Sequence, residues 1–475
     1  MAGNAEVEMS QGHALQRRVL AATSISYIVV ILDTSIVNVA LERIAGALST
    51  DIAGLQWVVN AYTLAFASLL LTGGTLGDRW GARNVYLAGL AIFTLASVLC
   101  GVAPSLAVLT AARVLQGIGA ALLVPCSLML LNHSYPDPGE RAGAIGVWAG
   151  CGGAALAAGP LVGGVLIGWL GWRSVFLVNV PMGMIGLWTT SRIDDSPYRD
   201  SGDSREGRGH PRHLDLPGQG LAMLALGSLV AVLIEAPSIG WRSPTVMMGA
   251  AVCITAWIAF LTTEARRAQP MLPLTFFRNP MFSGAAIVAM TTTLTFFGLI
   301  FVLSLYFQQV RGYSPLRTGL AFLPLTAVVT VGNMVSGRWA RADGFRWPVM
   351  TGIGCSIVGF VGMLPATQTS PYWHIGLPLL AVGWGGGLIT PAATAALMSS
   401  VERHRAGVAA GVLNSARQTG AALGVAIFGA LIAASSVASA SAVSRSFDAG
   451  MHLALWIATA LSCFVAVIWW FAAAT

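Results

Sequence analysis

The sequence predicts an all-α membrane protein of fourteen transmembrane helices, two six-helix bundles plus two inserted helices. Three observations carry that reading. Only 9% of the 475 residues are charged and 56% are hydrophobic, whereas soluble domains carry about 25% charged residues. Apolar runs recur along the chain at close to the roughly 20 residues that a helix needs to cross a hydrocarbon core. Short patterns near the start return in the same order toward the end.

The apolar runs cover 19–41, 55–77, 84–103, 105–131, 142–167, 172–191, 217–236, 244–263, 281–306, 317–337, 347–365, 373–398, 406–433 and 450–473. They are rich in Gly and Ala and do not alternate strictly, which favours helices over barrel strands. The chain has no Lys; all 26 basic residues are Arg, and the net charge is +7. That charge is not a nucleic-acid footprint, because its placement follows the membrane. With the N-terminus in the cytoplasm and fourteen crossings, 18 Arg fall in cytoplasmic segments. Six fall outside (Arg43, Arg173, Arg242, Arg311, Arg317, Arg445), and Arg113 and Arg417 lie within helices. This is the positive-inside bias. It predicts a multi-pass protein of the inner (cytoplasmic) membrane with both termini cytoplasmic, the bilayer as partner and a monomer as the unit.

Residues 1–18 read as a cytoplasmic tail. The run that follows is too long for a signal peptide and contains an acid, so it is expected to be retained. Six Cys are scattered without a CxxC pair, as packing residues rather than disulfides or metal ligands. No HExxH and no GxxxxGK[ST] occurs, which argues against a zincin and a P-loop ATPase. No enzyme activity and no cofactor are expected.

The repeat sets the domain plan. Gly74-x6-Gly81-x-Arg83 returns as Gly337-x6-Gly344-x-Arg346, offset 263. Arg141-Ala142-Gly143 returns at 405–407, and Gly117-x-Gly119-x5-Pro125 returns as Gly383-x-Gly385-x5-Pro391, offset 266. Segments 1–6 therefore correspond to segments 9–14. The plan is an N-terminal bundle (19–191), a polar cytoplasmic linker (192–216), an inserted helix pair (217–264) and a C-terminal bundle (265–475). Parallel repeats of this kind build secondary transporters whose substrate site lies between the halves near the midplane.

Asp33 sits in the middle of the first segment. A carboxylate at that depth must face an aqueous cavity or a partner, and intramembrane acids are functional by default. Desolvation disfavours its charged form, so it is a candidate to take up and release a proton. Arg113, in the fourth segment, stays charged and also needs a partner; Gln116 lies one turn away on the same face. In the fifth segment Gly159 and Gly163 form GxxxG, which admits a close neighbour, and Pro160 weakens the helix there. Asp78, between Arg79 and Arg83 in the 74–83 loop, is placed to pair with Arg or with a helix N-terminus of the other half. Trp57, Tyr62, Phe296, Phe297, Tyr306 and Trp384 are candidate cavity walls, and Arg417 and Glu235 are further charged candidates.

These residues resemble the major facilitator superfamily, and within it the fourteen-helix drug:proton antiporters. The resemblance spans the chain outside its tails and linker. It rests on "LDTSIVNVAL" around Asp33, "GGTLGDRWGAR" with Gly74, Asp78, Gly81 and Arg83, "RVLQGIGAA" with Arg113, and the antiporter pattern of Gly146, Gly159, Pro160, Gly163 and Gly164. "GWRSVFLVNVPMG" and "GYSPLRTGL" look like further signatures. Ala155 stands where that pattern has Gly, and Asn84 where the family often has Lys or Arg. The resemblance implies the major facilitator fold and export of small amphipathic molecules such as drugs, antibiotics or toxic metabolites. It implies proton entry as the drive, Asp33 and Arg113 in the coupling, and the Asp78 loop in gating. A proton symporter on the same fold is an alternative that the Gly-Pro motif of the fifth segment disfavours. A receptor or scaffold has no need of intramembrane charge. Substrate charge stays open: Asp33 suits a cation, and Arg113 and Arg417 suit an anion.

Overall fold

A computed structural model describes residues 2–193, 215–267, 274–402, 406–438 and 443–473. Helices begin where a short polar side chain can accept from the first free amides. Asp51 accepts from Gly54 N at 3.0 Å, Asp137 from Glu140 N at 2.8 Å, Asp215 from Gly218 N at 2.7 Å and Asn279 from Met281 N at 2.9 Å. Pro follows in the first turn after Asp137, Asp215 and Asn279, where its missing N–H is no loss.

Fourteen crossings result among the described residues: α1 (Ala2–Leu48), α2 (Ile52–Trp80), α3 (Ala82–Gly101), α4 (Leu106–Ser134), α5 (Pro138–Leu170), α6 in two pieces (Ser174–Leu177 and Asn179–Ser191), α7 (Leu216–Ile239), α8 (Pro244–Arg266), α9 (Pro280–Leu305), α10 (Pro315–Asp343), α11 (Arg346–Met363), α12 (Trp373–Ser399), α13 (Ala406–Ala438) and α14 (Val443–Ala472). Twelve are individually long and apolar enough to cross a membrane. The other two are α6, which is broken at Val178, and α11, which is only 18 residues long and opens on Arg346. The break has a local cause: Pro181 has no N–H to give the carbonyl of Leu177.

Residues 2–18, expected as a cytoplasmic tail, continue α1 as helix. One expectation needs correction. The 74–83 stretch, read as a loop, is mostly the last turns of α2; the connection to α3 is Gly81 alone, at φ +86°. Of the polar linker only 192, 193, 215 and 216 lie within the described residues, and Arg405 of the second RAG copy lies outside them.

The repeat is repeated in the packing. Gly81 has its counterpart in Gly344, at φ +77°, between α10 and α11. A Cβ on Gly117 would meet Tyr62 O of α2 at 2.4 Å, and one on Gly383 would meet Leu325 O of α10 at 2.5 Å. Gly119 lies against Gly89 O of α3 and Gly385 against Gly352 O of α11. Each pair of contacts is related by the sequence offset. Helices α1–α6 pack as one bundle and α9–α14 as another. They meet along two symmetry-related seams, α2 with α13 and α5 with α10, and along a shorter contact of α1 with α9. The inserted α7 rests on α2 and α13, and α8 packs against α7.

Both chain ends lie on one face, here the terminal face. At the opposite, far face the halves are tied together. Ser304 Oγ donates to Asn38 O, Gln308 Nε2 donates to Val39 O at 3.2 Å, and Gln309 Nε2 donates to Glu42 Oε2 at 2.9 Å. A π turn, Tyr306–Val310, continues α9 and carries Gln308 and Gln309. Gln56 Nε2 of α2 donates to Val425 O and Ala426 O of α13 at 2.9 and 2.8 Å. Toward the terminal face the seams differ. On α2–α13, Gly411 still lies against Leu71. On α5–α10, the stripe of α5 that holds α10 through Ala157, Pro160 and Gly164 continues as Gly153, Gly150, Gly146 and Gly143, around which nothing lies within 4 Å of a Cβ position.

Candidate functional site

Asp33 is wholly buried, and Arg113 is 1% exposed. The two form an ion pair. Both are held by further hydrogen bonds. Gln116 Nε2 donates to Asp33 Oδ1 at 3.2 Å and Asn179 Nδ2 donates to the same oxygen at 2.9 Å. Arg113 donates through Nε to Val58 O at 3.0 Å and through Nη1 to Gln116 Oε1 at 2.8 Å, and its guanidinium lies 4.4 Å from the Tyr62 ring centre. Gln116 also donates to Ser97 Oγ at 2.8 Å. A buried ion pair is tolerable in a membrane because its charges cancel and its polar atoms are bonded.

The pair lies inside the N-terminal bundle, not on the cavity. Successive helical residues turn by about 100°, so Ser35 and Asn38 point away from the side that Asp33 occupies. They line a narrow midplane cleft between the halves, with Pro160 of α5, Phe296 and Phe297 of α9 and Thr326 of α10. The Phe296 and Phe297 rings meet edge to face at 5.6 Å. Of the candidate cavity residues, Phe297 is therefore on the cleft. Gln116 and Tyr62 are not; they belong to the Asp33 network. Trp57 is not either: its Nε1 donates to Glu235 Oε1 at 2.9 Å, on the seam with α7. Tyr306 is buried near the far face, its hydroxyl donating to Thr367 O at 3.0 Å.

Arg417, on α13, is half-buried and donates to Thr390 O at 3.2 Å and to Thr394 Oγ1.

Helix α5 explains its own glycines. A Cβ at Gly159 would strike Ser35 Oγ of α1, and one at Gly163 would meet Ile36 at 2.8 Å. Gly164 does the same for α10, with Leu316 Cα at 2.6 Å. Gly146 has open space. Gly74 faces Pro125 at 3.8 Å. Arg83 Nη2 donates to Ser191 O at 3.0 Å, tying the α2–α3 turn to the end of α6. Asp78 is exposed beside that turn. Sequence reasoning did not single out Asn179, Ser97 or Asn38; a lone Asn in an apolar segment was the available signal for two of them.

With this geometry in hand, the comparison with known proteins is direct. The sequence pattern of the Major Facilitator Superfamily matches residues 23–425. The chain belongs to the Major Facilitator Superfamily. It is 36% identical over 417 residues to the methylenomycin A resistance protein of Bacillus subtilis, covering 87% of each chain. It is 36% identical over 424 residues to the drug efflux pump JefA of Mycobacterium tuberculosis, covering 88% of this chain and 81% of that one. Among solved structures it is similar in fold to a bacterial homologue of the human lysosomal transporter Spinster, in an inward-facing and unoccupied conformation. The TM-score is 0.66 at 18% identity, over 96% of this chain and 97% of that one. Within this superfamily fold, the Asp33–Arg113 pair sits on helices 1 and 4 of the first half, and the cleft lies between the halves.

Proposed function

We propose that the chain is a proton-coupled secondary transporter that exports small amphipathic molecules across the cytoplasmic membrane by alternating access. The observation that carries this reading is the buried Asp33–Arg113 pair with its Gln116 and Asn179 donors. Protonating Asp33 removes one charge of a compensated pair and frees Arg113, so the pair couples a proton to the packing of α1, α4 and α6. Helix α1 carries that change to the cleft, because Ser35 and Asn38 lie on its other face. The relatives, a resistance protein and an efflux pump, support export as the direction. The Arg bias supports the terminal face as the cytoplasmic one. The far-face bonds then close the outside, and the open α5–α10 seam leads inward. Protons and small molecules are the partners, and the monomer holds every element that this cycle uses.

The test is an antibiotic-susceptibility panel in a host stripped of its own exporters, with and without a proton uncoupler. Uncoupler-sensitive resistance to at least one compound is expected. Resistance unchanged by the uncoupler would remove proton drive, and no resistance across the panel would remove export.

A further inference from the structure

The cleft between the halves has a wall without charge. Its polar side chains are three neutral ones, Ser35 and Asn38 of α1 and Thr326 of α10, and every other side chain that lines it is hydrocarbon. The ionised groups of the membrane interior are engaged elsewhere. Asp33 is wholly buried in the first bundle and paired with Arg113. Arg417 is absent from the lining and donates to Thr390 O and Thr394 Oγ1 of α12. An ion that enters such a cleft gives up water and gains no counter-charge, which is strongly unfavourable for either sign.

The three polar groups are also unequal as donors and acceptors. A hydroxyl carries one hydrogen, and both hydroxyls give theirs to helix carbonyls. Ser35 Oγ donates to Leu32 O at 3.1 Å, and Thr326 Oγ1 donates to Leu323 O at 3.1 Å and Ala157 O at 3.3 Å. Their lone pairs are what they have left. Asn38 is 3% exposed, and its Nδ2 donates to Thr34 O at 3.1 Å. Among the described residues nothing donates to its Oδ1. A buried amide oxygen without a donor is costly, and this one belongs to a residue of the cleft wall. The Asn38 backbone carbonyl is held by Ser304 Oγ, which fixes α1 at this point. The apolar part of the wall is largely aromatic: Phe296 and Phe297, edge to face at 5.6 Å, and Phe322.

We infer that the cleft selects neutral molecules with a flat apolar body and an uncharged N–H or O–H donor. The body lies against Phe296, Phe297 and Phe322, whose rings supply stacking area. The donor meets the open oxygen of Asn38, with Ser35 and Thr326 as further acceptors. This rests on the export reading above and adds the substrate class. A molecule without a donor fits the same rings but leaves Asn38 Oδ1 unbonded. Asn38 is then the residue that sets specificity, and Asp33 acts on the proton alone.

The test uses the purified full chain in lipid nanodiscs at neutral pH and four probes on one scaffold: 2-naphthol, 2-methoxynaphthalene, 2-naphthoate and 2-naphthylmethylammonium. Dissociation constants are read by thermophoresis. The naphthol should bind at least about tenfold tighter than either ion and about fivefold tighter than its methyl ether. Asn38→Leu should abolish the advantage over the ether while changing the ether itself by less than about twofold. Asn38→Asp puts a carboxylate on the wall and should raise the affinity for the ammonium about tenfold, a gain that a damaged fold cannot produce. Either ion or the ether binding as tightly as the naphthol, an equal loss of both neutral probes in Asn38→Leu, no gain for the ammonium in Asn38→Asp, or no saturable binding of any probe would each overturn the inference. The susceptibility panel decides export independently, so exported compounds that are all ions would sink this substrate class and leave that reading standing.

Discussion

In the first bundle, Asp33, Ser97, Arg113 and Gln116 make one buried polar network. The repeat offsets put Phe296, Phe360, Leu379 and Val382 at the matching points of the second, and Phe360, Leu379 and Val382 are buried in one apolar cluster. Around these unlike interiors the frame is the same. Gly117 and Gly383 let helices approach the same carbonyl, and Gly81 and Gly344 make the same turn. The difference teaches where duplication was kept and where it was not. Close backbone packing is needed twice, so small residues recur. The buried ion pair occurs, among the described residues, in the first half, and the other half brings Phe296 to the cleft.

The largest effect should come from breaking the charged interior. Asp33→Asn leaves the Arg113 guanidinium buried without its counter-charge, a loss of about 3–5 kcal/mol. Melting in detergent should fall sharply, contrary to the simple view that a neutral amide is cheaper in lipid. Asp33→Asn combined with Arg113→Gln should recover most of the melting temperature and still transport nothing against a proton gradient. In the second bundle Leu379→Ala costs a comparable ~2–5 kcal/mol, yet proton-driven export per folded molecule should persist. Loss of proton drive in Leu379→Ala at matched folded protein would mean that coupling is spread over both halves.

This comparison also marks what could be read from the sequence. Helix number, repeat and the importance of Asp33 and Arg113 follow from apolar length, spacing and the cost of charge in lipid. Contact between Asp33 and Arg113 did not follow, because the two residues are 80 apart in the chain. The phase of α1 was also hidden: it turns Asp33 into the bundle and Ser35 toward the cleft. The extent of α2 was misread because Gly74 and Gly77 look like loop residues, when Gly77 packs closely on Cys126 and Met129 of α4 and Gly74 faces Pro125 of the same helix. Trp57 was assigned to the cavity by type; the position of Glu235 on the inserted α7 decides otherwise.

The shared frame offers the next test. Gly117→Val and Gly383→Val each force a side chain against a helix carbonyl, at 2.4 and 2.5 Å from the first added carbon. Overpacking of this kind costs about 1–3 kcal/mol, and the two variants should lose similar amounts of melting temperature. A neutral result for one of them would show that its helix pair relaxes and that the two halves are not equally rigid.

Smaller still are the turns. Gly81 and Gly344 hold φ values of +86° and +77°, which side chains avoid. Gly81→Ala and Gly344→Ala should each cost ~1–3 kcal/mol. If the first turn also gates, Gly81→Ala should slow turnover beyond its effect on stability, whereas Gly344→Ala should not. Turnover divided by folded fraction separates the two.

The smallest expected effect concerns the ties between the halves. At the far face Gln308 reaches across to Val39 O at 3.2 Å, while on the α5–α10 seam Thr326 reaches Ala157 O at 3.3 Å. Both bonds cross the interface, but they sit at different depths. The first is buried among the bonds that close the far face, and the second lies where the seam begins to open. Gln308→Leu removes about 1 kcal/mol from the closed arrangement and should raise the population open at the far face roughly fivefold. Amide hydrogen exchange over residues 36–48 and 299–310 reads that population. Thr326→Val loses a similar bond at a place that does not hold the far face shut, so exchange in those segments should stay within about twofold of the parent. Equal acceleration in both variants would show that the two contacts open as one unit, and the picture of a latch at one depth and an opening at another would have to be given up.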